Sequence, residues 1–95
     1  MVTPTWMPPH REEHGTLDTS RVNALPKSAF AFPEARKEPM TDASHVRNAL
    51  ARFDQVKGVS DADRELAFAN IRKAAQHFGI EVKETDWRQL GARRG

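Results

Sequence analysis

Leu25-Pro26-Lys27-Ser28-Ala29-Phe30-Ala31-Phe32-Pro33-Glu34-Ala35-Arg36-Lys37-Glu38-Pro39-Met40 joins a proline-rich half to a helical half, and its reading decides the fold. Pro26, Pro33 and Pro39 rule out a continuous helix, because each removes an N–H and crowds the residue before it. Phe30 and Phe32 stand two apart, so in an extended chain they point to the same side. A segment that shows two phenylalanines on one side does so against something. The expectation is that it lies across the helices that follow and lends them core, which so small a module needs. The competing reading is a linear motif that docks into a separate protein.

Downstream, Thr41 and Asp42 are start signals for a first helix, since either can accept from the free N–H groups of the first turn. Val46, Ala49, Leu50, Phe53 and Val56 fall on one stripe at helical spacing, and Gly58 ends the element. A second helix starts at Ser60 with Asp63 three residues on, a capping-box pattern. Asp61, Asp63 and Glu65 suit the positive end of its dipole. Ala67, Phe68, Ile71, Ala74, Ala75 and Phe78 form its apolar stripe, and Gly79 is the C′ residue that closes it. The loop Lys57–Val59 is short, so the two helices are expected to run antiparallel. Leu66 lies off the main stripe, near Ala62 and Ala69, and marks a shallow strip that can seat Phe30 and Phe32 or a partner. After Gly79, Ile80-Glu81-Val82 reads as extended. Thr85 then caps a turn over Asp86 to Leu90, and Trp87 and Leu90 fold back onto the hairpin as core.

Upstream, Met1 to Val22 shows no sustained period of 2 or 3.6. Pro4, Pro8 and Pro9 favour extended chain, and Trp6 and Met7 read as exposed apolar residues on a loose terminus. All six prolines of the 95-residue chain lie in residues 1–40, and the hydrophobic fraction of 38% is low for a wholly packed chain.

The chain contains no cysteine, which excludes disulfides, thiol catalysis and Cys-based metal sites and fits a reducing compartment. No stretch approaches the roughly 20 apolar residues that span a bilayer, and the N-terminus lacks the pattern of a secretory signal. A net charge of +2 spread over both halves is a solvated surface by default. Arg93 and Arg94 form a basic pair without an acid beside them.

His10-Arg11-Glu12-Glu13-His14 is the string that invites a metal reading, because two histidines at i, i+4 on a helix can share a zinc ion. Its glutamates are misplaced by one residue for a general base, prolines precede it and Gly15 follows it, and a third ligand is missing. His45 and His77 flank their stripes as partly buried imidazoles. Ser28, Ser44 and Ser60 lack a nucleophile-elbow context, and no glycine-rich phosphate loop exists. For nucleic acid, a helix-turn-helix would read with the second helix, whose acidic first turns count against it. Arg47, Arg52, Lys73, Arg88, Arg93 and Arg94 can still form a discontinuous phosphate patch.

The run from Leu25 to Val82 resembles a small family of domains of actinobacteria and their phages. The resemblance is carried by Leu25-Pro26, by Ser28-Ala29-Phe30-Ala31, and by Arg36-Lys37 with Pro39. It continues in Asp42-Ala43, then His45-Val46-Arg47-Asn48-Ala49-Leu50-Ala51-Arg52-Phe53. The family brings no established activity and hence no functional residue. It implies that the phenylalanine segment and the helices form one unit. His45, Arg47 and Asn48 then need a physical role: Arg47 and Asn48 are expected to hydrogen-bond the backbone of residues 33–40, the other reading being a ligand-facing polar cluster.

The expected architecture is all-α: an antiparallel two-helix hairpin plus a short C-terminal helical turn, with an extended N-terminal segment packed on it. Residues 1–24 are expected as a disordered arm. Residues 25–91 form the module, with helices at about 42–57, 61–78 and 86–90, and 92–95 a basic tail. The expected function is a non-catalytic, cofactor-free interaction module that binds a protein partner; weak nucleic-acid binding is the alternative, and no membrane contact is expected. Its candidate surface comprises Leu66, Phe30, Phe32, His45, Arg47, Asn48 and Arg52. The compartment is the cytoplasm, or a phage's host cytoplasm.

Overall fold

The computed structural model describes residues 2–9 and 19–92. Its elements are α1 (Thr19–Ala24), β1 (Phe30–Phe32), β2 (Lys37–Pro39), α2 (Ala43–Arg52), α3 (Asp61–Phe78) and α4 (Arg88–Ala92), with 3-10 turns at Lys27–Ala29 and Phe53–Gln55. The fold is therefore mixed α and β, and the expectation of an all-α hairpin is corrected by the antiparallel strand pair.

That pair comes from the stretch quoted above. Phe30 lies opposite Pro39 and Phe32 opposite Lys37, and the Met40 N–H donates to the Ala29 carbonyl at 2.8 Å to extend the ladder. Proline is tolerated here because the strands are short and β2 has an open edge. The turn Pro33–Arg36 closes with the Arg36 N–H on the Pro33 carbonyl at 3.3 Å. Arg36 and Glu38 take φ values of 53° and 58°, a left-handed conformation that side chains with a Cβ rarely adopt. A two-stranded ribbon is marginal on its own. This one is held because β1 is buried along its whole length, packed on α3, while β2 packs on α2.

The helices follow local code closely. Asp42 caps α2, its side chain accepting from the His45 N–H at 2.9 Å. The expected continuation to residue 57 gives way at Phe53 to a 3-10 turn, which carries Phe53 into the core. Ser60 and Asp63 form a reciprocal capping box, at 3.1 Å and 3.0 Å. Gly79 closes α3 at φ 74°. At α4, which runs from Arg88 rather than from Asp86, the Gln89 side chain accepts from the Thr85 and Asp86 N–H groups at 2.7 Å and 3.2 Å.

The core is built from both halves. Phe32, Met40, Val46, Ala49, Phe53, Phe68 and Ile71 meet in one cluster, which Trp6 joins from the N-terminal side and Leu90 from the C-terminal side. Trp6 is 0% exposed, against the expectation that it stands free, while Met7 is exposed as expected. Trp87 is half-buried at the edge, its ring 6.2 Å from that of Phe53.

Candidate functional site

Asn70 is the polar residue around which the two halves close. It occupies a core position of α3 and is 0% exposed, and a buried amide needs its hydrogen bonds made. Its Oδ1 accepts from the backbone N–H groups of Thr5 at 2.7 Å and Trp6 at 2.9 Å. Its Nδ2 donates to the Ala31 carbonyl at 2.9 Å and to Thr5 Oγ1 at 3.2 Å. Trp6 completes the clasp by donating from Nε1 to the Met40 carbonyl at 3.1 Å. The Met7 N–H donates to the Ser28 carbonyl at 3.0 Å. This is structural work, because Trp6, Ala31, Met40 and Asn70, between which it is made, are all buried.

Arg36 plays a similar part for the segment between α1 and β1. Its Nη2 donates to the carbonyls of Val22, Asn23 and Leu25, at 3.0, 3.3 and 2.8 Å, closing the end of α1. The guanidinium also lies 4.6 Å from the Phe30 ring centroid, in the range of a cation–π contact.

The candidate residues read from the sequence separate into three groups. Phe30 and Phe32 are buried and so present nothing to a partner in this conformation. Leu66 is half-buried and shares a small space with Phe32, Pro33 and Ala35, so the hairpin turn lies over its strip. His45 is half-buried with Nδ1 2.7 Å from Asp42 Oδ1. The same oxygen caps α2, which makes the pair a helix start first. Arg47, Asn48 and Arg52 are exposed. Arg47 and Asn48 do not clasp the backbone of residues 33–40 as expected; the side chain that reaches β1 is Asn70.

Of the exposed set, Arg47 borders an open cleft of about 650 Å³ between α2 and the segment after α3. Leu50, Ala51, Ile80 and Leu90 give it apolar walls; Arg47, Glu81, Lys83 and Glu84 give it a rim of both signs. The segment beside it runs from Ile80 to Glu84 without helix or strand. Among the described residues, the backbone groups of Glu81, Val82 and Lys83 make no hydrogen bond, and so face water or a ligand.

Among the described residues, no group of three His, Cys, Asp or Glu side chains is placed to hold a metal ion. The His10–His14 string and the Arg93–Arg94 pair lie outside the described residues. No described helix is long and apolar enough to cross a membrane.

Sequence reasoning missed Asn70, Trp6 and the cleft. Asn70 left a trace: it sits between Ala67 and Ile71 on the stripe of α3, where an amide has to find partners. The cleft left none, because its walls come from elements far apart in the chain.

Residues 10–85 match a family described as a family of unknown function (DUF6582), and the chain belongs to it. Trp6 and Leu90 lie outside the matched residues. No curated protein and no solved structure matches the chain.

Proposed function

We propose that this member of the family is a non-catalytic interaction module, an adaptor that seats a protein partner in the cleft between α2 and Ile80–Glu84. The observation that carries the reading is the lining of that cleft: apolar walls, a rim of mixed charge and unpaired backbone at Glu81–Lys83. Apolar walls draw side chains out of water. Open backbone groups suit an extended peptide laid alongside. Glu81 and Glu84 on the rim repel phosphates, which favours protein over nucleic acid as the ligand.

The absence of cysteine and the resemblance to domains of actinobacteria and their phages support a place in the cytoplasm of such a cell, during phage growth or outside it. Weak nucleic-acid binding through Arg47, Arg52, Lys73 and Arg88 is the reading against which the adaptor is tested.

The test is a photo-crosslinker introduced at Ala51, an exposed wall of the cleft, in the full chain expressed in its own host. The expected result is a discrete protein adduct that Leu50→Asp removes and excess unmodified chain competes away. Adducts to nucleic acid alone, with duplex affinity falling by orders of magnitude between about 50 and 200 mM salt, would overturn it.

A further inference from the structure

A second concavity of about 220 Å³ lies between β2 and the end of α2, lined by Lys37, Glu38, Arg52, Gln55, Val56 and Lys57. Lys37, Arg52 and Lys57 are exposed. Among the described residues, none of the three is in an ion pair or a side-chain hydrogen bond. Surface cations ordinarily find a carboxylate or spread apart. Here they converge on one notch, where the single carboxylate, Glu38, leaves a net of two positive charges (three cations less one acid).

Glu38 itself is unusual. Its backbone is left-handed, at φ 58°, and its side chain is half-buried. Burial pushes its carboxyl above the ordinary value near 4.5, against the opposing pull of Arg52, Lys37 and His45. The other left-handed residue, Arg36, is explained by the carbonyls it caps. No comparable bond explains Glu38, and backbone strain without a structural return gathers at binding sites.

We propose that this notch is a docking point for an acidic peptide segment, one side-chain carboxylate of which sits among Lys37, Arg52 and Lys57. Charge complementarity selects an acid. The size of the notch admits one or two side chains, whereas a nucleic acid needs a basic track along several phosphates. Gln55 offers the peptide an amide to hydrogen-bond, and Val56 offers an apolar contact. Glu38 sets selectivity, since it repels a doubly charged phosphate more than a single carboxylate. The site is separate from the cleft and does not rest on the reading of that cleft.

The experiment is a titration of the full chain with hexaglutamate, followed by amide chemical shifts. Saturable shifts are expected at Lys37–Met40 and Arg52–Lys57, weakening as salt rises from about 50 to 200 mM. The double variant Lys37→Glu, Lys57→Glu should abolish them with its melting temperature unchanged, and Glu38→Gln should tighten binding. Hexaglutamine should give no shifts. Equal or stronger shifts at these residues with hexathymidylate or inorganic phosphate would overturn the assignment in favour of a phosphate site. Shifts scattered over Arg72, Lys73 and Arg88, or surviving in the double variant, would overturn it outright. Either failure leaves the Ala51 crosslinking result as it stands.

Discussion

The two halves of the chain hold their shape by different means. From Ala43 onward each helix carries its own stops: Asp42, Ser60 with Asp63, and Gly79 all act on groups within a few residues. Before that, order comes from a distance. Asn70 holds Thr5 and Trp6 across separations of 65 and 64 residues, and the Met40 carbonyl takes the indole N–H across 34. A helix cap acts within its own turn, while a docked strand is held only once its receiver is built. The difference divides the molecule into a part ordered by local signals and a part ordered by long-range contacts.

The strongest way to break the comparison is Trp6→Ala. Emptying a site for a fully buried tryptophan costs about 3–5 kcal/mol, so thermal unfolding should move down sharply if residues 2–9 belong to the core. An unchanged melting temperature would return them to the status of a tail. Asn70→Leu separates volume from hydrogen bonding. It keeps the bulk but strands the Thr5 and Trp6 N–H groups and the Ala31 carbonyl, at about 1–3 kcal/mol for a buried group left unpaired. Hydrogen exchange should then rise at Thr5, Trp6 and Met7 before it rises in α3.

On the other side of the comparison, Ser60→Ala removes a local stop and should cost about 1 kcal/mol, or some 4–8 °C in a domain of this size. Its added exchange should stay within the first turn of α3. Spread to Trp6 would show that the halves are not separable.

The smallest effect is expected at Glu38. Its carboxyl is held above the ordinary value near 4.5 first by burial, so the folded chain keeps that proton to higher pH than the unfolded chain. The contribution is fully present below the unfolded value and is lost as pH rises through the raised one. Glu38→Gln should therefore raise the melting temperature slightly at about pH 7 and leave it unchanged at about pH 3. A decrease at neutral pH would mean that the carboxylate holds the strand in place.

What could be read in advance follows the same division. The span of α3, its capping box and its closing glycine were legible because they are short-range patterns of spacing and side-chain type. Phe30 and Phe32 marked an extended piece. Its partner strand Lys37–Pro39 has no alternation and contains a residue in a left-handed conformation, so no period announces it. Trp6 was misread because three prolines around it describe the local chain correctly, extended and without a ladder, yet say nothing of what covers it. Of the candidate surface, the exposed Arg47 and Arg52 do border concavities, while Phe30 and Phe32 turned out to be interior. No local pattern brings Leu50, Ile80 and Leu90 to one wall.

The Trp6–Asn70 clasp also sets an order of events during biosynthesis. Trp6 is made before its receptor, which follows 64 residues later, a delay of about 3–13 s at roughly 5–20 residues per second. Until Asn70 is made the indole has no receptor and, once clear of the ribosome, it is an apolar group open to a chaperone or to a neighbouring copy. Its burial is thus a late checkpoint: in a Trp87→Phe background, fluorescence from a sheltered Trp6 reports that synthesis has passed Asn70 and that this part of the chain has closed.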